Sequence, residues 1–321
     1  MIFLIQQTMI FAIPLLIVAL AGVFAERSGI INIALDGIMI FGSFIGAVVV
    51  YHIHMAGIGP SGQWLYIIAL LYSALAGGIF SLLLGFSAIT LKADQTIGGT
   101  ALNLLAPAIS LFLIKVVYGT NALRMPVGTV TEYMLHIKTG TFLDAFTDMS
   151  YISTYLMIAL FIILSIVLYK TKFGLRLRSC GEHPQAAASV GINVKKMRYA
   201  GVFISGALAG MGGYIYIATV SSGAAQGTVA GMGFLALAIM IFGNWKPLGI
   251  ALGSLLFGLL KCVGSIYMML DINNDGVALL SKINLPVYFY NIVPYVAVLV
   301  VLAFTSKKSR APTAEGIPYD G

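Results

Sequence analysis

Long apolar runs follow one another along most of the chain, separated by short polar or glycine-rich stretches. A helix that crosses a bilayer needs about 20 predominantly apolar residues, within a range of roughly 17–25. Runs of this kind lie at Ile2–Phe24, Ile33–Tyr51, Leu65–Leu91, Thr96–Tyr118, Tyr151–Tyr169, Tyr199–Thr219, Pro247–Leu270 and Val287–Thr305, with a shorter one at Phe234–Gly243. The pattern predicts an all-α polytopic transmembrane helical bundle of roughly 8–10 spans. Gly and polar residues interrupt it at Gly29–Gly46 and Ser221–Gly243, which predicts broken helices there. A transmembrane barrel does not fit, because barrel strands alternate apolar and polar residues over about ten positions.

Composition narrows the class. Hydrophobic residues make up 60% of the 321 residues and charged residues 9%. A soluble domain is about 45–50% apolar and about 25% charged. A soluble enzyme, a disordered chain and a collagen-like fibre are excluded. The expected organisation is one membrane domain over residues 1–305 and a short polar tail over 306–321. No Lys or Arg precedes the first apolar run, and the first basic residue is Arg27, so that run reads as a retained helix rather than a signal peptide.

The net charge of +7 reads as loop asymmetry, not as a nucleic-acid surface. Loops on the cytoplasmic side of membrane proteins carry excess Lys and Arg. The densest basic stretch holds Lys170, Lys172, Arg176, Arg178, Lys195, Lys196 and Arg198 against the single acid Glu182. The tail carries Lys307, Lys308 and Arg310. Placing both inside puts Gly119–Ser150 and the N-terminus outside, with Arg27 inside. Cys180 in the basic loop and Cys262 in a span form no disulfide framework. Trp64 and Trp245 fall at span ends and read as headgroup anchors.

Chemistry-bearing motifs are sparse. There is no phosphate-binding G-x-x-x-x-G-K-[ST] loop, so the chain does not hold a nucleoside triphosphate in that way. His52, His54, His136 and His183 are scattered and make no metal site. Asp271–Gly276 resembles the start of a calcium loop, but its twelfth position is Lys282, where a bidentate Glu is needed. No clustered nucleophile or acid–base dyad suggests an intramembrane enzyme, and none is expected.

The basic stretch Lys170–Arg198 is the most informative segment. Pro184 is pre-set for a first helical turn, Ala186, Ala187 and Ala188 favour helix, and Gly191 can supply a left-handed stop. A short helix is expected over Pro184–Val190, between basic flanks. Its small side chains would let another protein approach closely, which points to a docking helix for a cytoplasmic partner. The plainer alternative is a basic loop with one helical turn.

These residues resemble the coupling loop of bacterial ABC importer permeases. The chain is similar to the branched-chain amino acid, simple-sugar and nucleoside permease family, and among them to the nucleoside-uptake permeases. Glu26–Ile33, Ala93–Thr96, Asn103–Ala106, Phe234–Ala238, Phe242–Gly249, Ala311-Pro312 and Gly316–Tyr319 carry the likeness along with the loop. The match runs from about Phe24 to the C-terminus and is weakest over Gly119–Ser150. The resemblance implies a multi-pass subunit of the cell membrane, with coupling loop and C-terminus cytoplasmic. By the same resemblance, the subunit is expected to move a nucleoside or related simple sugar inward. It implies a second, non-identical permease subunit, an extracellular substrate-binding lipoprotein and a cytoplasmic ABC ATPase that holds ATP and Mg. No cofactor is expected in this chain. Gly181, Glu182, Pro184, Ala187 and Gly191 match the coupling motif.

Polar residues inside a membrane are expensive and mark candidate sites. Asn32 and Asp36 share a helix face. Thr96, Thr100, Asn103 and Pro107 form a stripe at helical spacing. Asn32, Asp36, Thr100 and Asn103 are the substrate-path candidates. Bonding between helices is the alternative for each, since Asn and Thr commonly serve that role; it is favoured for Asp36 and left open for Asn103. Leu20-Ala21-Gly22 and Leu208-Ala209-Gly210 each lead into a broken stretch, which suggests a pseudo-inverted repeat with a transport site between the halves. Gly206, Gly210, Gly249 and Gly253 have spacing for close helix contact, read as internal packing. A proton-coupled secondary transporter using Asp36 or Glu26 is the competing function. It accounts for the spans but not for the short helix between basic flanks.

Overall fold

A computed structural model of the chain describes residues 2–57, 61–126, 132–136, 148–266, 286–305 and 310–320. The calcium-loop-like segment Asp271–Gly276, with Lys282, and the tail lysines Lys307 and Lys308 lie outside the described residues. Among those described, eleven helices account for nearly all regular structure. They are α1 (Ile2–Glu26), α2 (Leu35–Ala56), α3 (Gly62–Gly85), α4 (Gln95–Tyr118), α5 (Ile152–Lys170), α6 (Lys172–Glu182), α7 (Pro184–Ser189), α8 (Val194–Thr219), α9 (Met232–Phe242), α10 (Pro247–Ile266) and α11 (Val287–Thr305). Seven of them (α1–α5, α8 and α10) are long and apolar enough to cross a membrane. The apolar α9 is shorter, and α11 holds 19 residues.

The expected spans are recovered within a few residues at each end. A π-helical turn, Phe86–Thr90, prolongs α3. Each expected region does hold a break, but a shorter one, because helix resumes at Leu35 and at Met232 and runs on without interruption. After α1 the chain makes a tight turn, with the Gly29 N–H bonding Glu26 O at 2.9 Å, and restarts as α2 at Leu35. After α8 the chain stays non-helical until Met232, apart from a two-residue strand, and Gly231 enters α9 with φ +69°. The two breaks are of unlike form, so an inverted repeat does not emerge from them. They do meet: the Gly233 N–H donates to Asp36 Oδ1 at 2.9 Å.

The core centres on α1 and α8, the two most buried spans. Apolar burial distinguishes little in lipid, so close backbone approach and hydrogen bonds must hold spans together. Glycine supplies that approach. A Cβ at Gly210 would meet Ser73 O and Gly77 of α3, and one at Gly42 would meet Gly210. Gly206 packs on Ser81 and Gly77, while Gly249 and Gly253 pack on Gly243 and Ile239. The small-residue spacing therefore serves packing within the chain.

The connections sort into two ends. At one end Gln63 of α3 donates to Glu132 O at 3.1 Å, and Gln6 of α1 donates to Asp148 O at 2.9 Å. There β1 (Leu123–Arg124) pairs antiparallel with β4 (Ala224–Ala225), and β2 (Met134–His136) pairs with β3 (Asp148–Tyr151). At the other end the α1–α2 turn, the α3–α4 turn, α6, α7, the α9–α10 turn and residues 310–320 come together. This is the basic end.

Candidate functional site: the basic end and its short helix

Thr171 stops α5 and caps α6, its Oγ1 accepting from the Gly174 N–H at 3.3 Å. Gly174, Leu177 and Cys180 recur every third residue and form the buried face of α6, with Lys172 and Arg176 exposed. Arg178 lies over the Tyr169 ring at 4.9 Å. Sequence reasoning took this stretch as a basic flank. The three-residue recurrence was the available signal, masked by the charges between.

The chain then turns at His183 and forms α7 with Pro184 in its first turn. Gly191 follows at φ +84°, with its N–H on Ala188 O at 2.9 Å, which is the left-handed stop expected there. Asn193 caps α8 through the Lys196 N–H at 3.0 Å.

The matched coupling residues divide between two sides. Gly181 is buried, and a Cβ there would meet Arg27 O. Glu182 pairs with Arg27 at 3.2 Å and accepts from Thr313 Oγ1 at 2.7 Å. Ala187 is 3% exposed and packs with Cys180 and Val194. These three fix α6 and α7 to the body of the protein. The outer side of α7 is made by His183, Gln185, Ala186, Ser189 and Val190, with Gly191 beyond. Val190 is 74% exposed. A cleft of about 570 Å³ lies beside it, between Leu175, Arg176, Gly191 and Lys196.

The candidate path residues are placed as follows. Asn32 is fully buried, its Nδ2 donating to Ser205 Oγ of α8 at 2.9 Å. Asn103 of α4 clamps the first broken stretch from both sides: Nδ2 donates to Ile33 O at 2.9 Å, and Oδ1 accepts from the Gly37 N–H at 2.7 Å. Asp36 accepts from the Gly233 N–H and so joins the two breaks. Thr100 alone of the four is exposed, with its hydroxyl turned back on Thr96 O at 2.9 Å. The structure thus gathers Asn32, Asp36 and Asn103 around the first break, all engaged in bonds within the chain. Among the described residues no three His, Cys, Asp or Glu side chains form a metal-binding group.

One residue at this end had a different expected role. Trp245 was expected at the headgroup level. It is 4% exposed, and its Nε1–H donates to Glu26 of α1. The polar indole nitrogen and a carboxylate at the end of a span satisfy each other, which outweighs the pull of the interface. Trp64, by contrast, is largely exposed at the start of α3. Glu26 also meets the carboxyl of Glu315 from the tail. Burial pushes Glu315 up to about 7.

Residues 4–302 match the family described as the permease component of branched-chain amino acid transport systems. The chain belongs to this permease family. Its full-length relatives include the guanosine ABC transporter permease protein NupQ of Bacillus subtilis, 38% identical over 98% of this chain and 95% of the relative. The nucleoside ABC transporter permease protein NupC of Lactococcus lactis is 39% identical over 98% of this chain and 96% of the relative. NupB, a second nucleoside permease protein of Lactococcus lactis, is 26% identical over 94% and 83%. No solved structure matches. As an ABC transporter permease this chain is a transport subunit and not itself catalytic, and its family works with an ATPase and a binding protein.

Proposed function

We propose that this permease carries nucleosides inward across the cell membrane, driven by ATP that a separate cytoplasmic ATPase hydrolyses. The observation that carries the reading is α7: a short helix at the basic end, anchored inward by Gly181, Glu182 and Ala187 and bare on its outer side. The excess of Lys and Arg at that end supports its being cytoplasmic. Full-length likeness to guanosine and nucleoside permeases supports the substrate class. The ATPase brings ATP and Mg, and an extracellular binding lipoprotein presents the nucleoside.

A second, non-identical permease subunit completes the path. Lactococcus lactis carries both NupB and NupC, each similar to this chain at a different level. The sparsely buried α4 exposes Ile97, Thr100, Leu104 and Phe112. So open a span face offers surface for a partner subunit. The proton-coupled alternative would use Asp36 or Glu26, and both instead accept hydrogen bonds within the chain, from the Gly233 amide and the Trp245 indole.

Uptake competition tests the substrate class. With labelled guanosine, other nucleosides should compete, while pentoses and leucine should not. Competition by leucine equal to that by nucleosides would overturn the assignment.

A further inference from the structure

Residues 310–320 form no helix or strand, yet they are tied to five separate parts of the permease. The Arg310 N–H donates to Asn244 Oδ1 at 3.1 Å, reaching the α9–α10 turn. Thr313 bonds Glu182, and the Ala314 N–H donates to Gly181 O at 2.9 Å, both at the end of α6. The Gly316 N–H donates to Gly29 O at 3.2 Å, in the α1–α2 turn. Arg198 Nη1 of α8 donates to Ile317 O at 3.0 Å. Asp320 pairs with Lys92 of the α3–α4 turn. Pro312 and Ala314 are buried.

Ordering a segment costs roughly 1–2 kcal/mol per residue in backbone freedom. A plain polar tail would not be held at so many points. The ties also have a direction. On one side lie Gly181 and Glu182, which anchor the docking helix. On the other lie Gly29 and Glu26, which lead into Asn32, Asp36 and α2. Between the tail and α7 runs a groove of about 470 Å³, walled by Glu182–Ala186 on one side and by Thr313, Ala314 and Ile317–Asp320 on the other.

We propose that residues 310–320 are a strap that carries movement of the docking helix to the α1–α2 turn, making the tail part of the coupling machinery. The inference rests on the reading of α7 as the ATPase docking helix. Glycine at 316 is required, because its φ of +76° is left-handed and a Cβ there would press on Ile31.

A chain truncated after Ser309 tests this in the assembled transporter with its ATPase, second permease and binding protein. The ATPase should still co-purify and hydrolyse ATP, while uptake per ATP hydrolysed falls about tenfold or more. Wild-type uptake per ATP would overturn the strap. Should the truncated chain fail to accumulate, the full-length double variant Thr313→Val with Glu315→Gln gives the same reading: reduced uptake per ATP supports the strap and an unchanged ratio overturns it. Failure of the docking reading looks different, because Val190→Asp in the full-length chain would then leave ATPase retention unchanged.

Discussion

Val190→Asp is expected to abolish uptake while the permease still inserts and accumulates in the membrane. The side chain is 74% exposed, so the substitution disturbs little within the chain. If an ATPase surface closes over this position, the new charge is desolvated without a partner. That costs roughly 2 kcal/mol or more, about a thirtyfold loss of affinity. Co-purification of the ATPase measures it directly. Ala187→Asp makes the informative contrast. Ala187 packs between Cys180 and Val194, so a charge there should dislodge α7 from its own protein and lower the melting temperature of the purified chain. Wild-type ATPase retention by Val190→Asp would remove α7 from the docking surface.

Asn103→Leu is expected to have the second large effect, through stability. Its side chain satisfies Gly37 N–H and Ile33 C=O where the first break interrupts helical bonding. Leucine would leave both without a partner inside the bundle, at about 1–3 kcal/mol for each group. The detergent-solubilised protein should melt well below wild type, and uptake should fall with it. Thr100→Val, one turn away and exposed, should leave melting unchanged. If Thr100 touches solute, that variant raises KM for uptake instead. Equal melting temperatures for Asn103→Leu and wild type would contradict the clamp.

The spans were legible in the sequence because a bilayer imposes length and apolarity on each helix separately. The breaks at Gly29 and around Gly223–Gly231 were legible too, since glycine and polar residues at membrane depth need a reason to be there. The short helix was announced by Pro184 and Gly191, whose backbone preferences are local. What could not be read was which face of α7 points inward. Ala186, Ala187 and Ala188 look alike as a sequence, and only packing against Cys180 and Val194 singles out Ala187. The role of Asn103 was open for the same reason: its partners, Ile33 O and the Gly37 N–H, are backbone groups that carry no sequence signature. The tail was hidden most completely. Two of its ties join main-chain groups alone, Ala314 to Gly181 and Gly316 to Gly29, and such groups give no hint of partners in a sequence. Trp245 was misplaced because indole preference for an interface is a tendency, while its bond to Glu26 is a specific contact across the fold.

The central claim is that this chain is a nucleoside-importing permease powered through its docking helix. Guanosine uptake into proteoliposomes measures it most directly, with the chain reconstituted beside its second permease and ATPase, ATP enclosed and binding protein outside. Accumulation should require every partner and ATP, and should persist when the proton gradient is collapsed. Accumulation by this chain alone, driven by a proton gradient without ATP, would contradict the account.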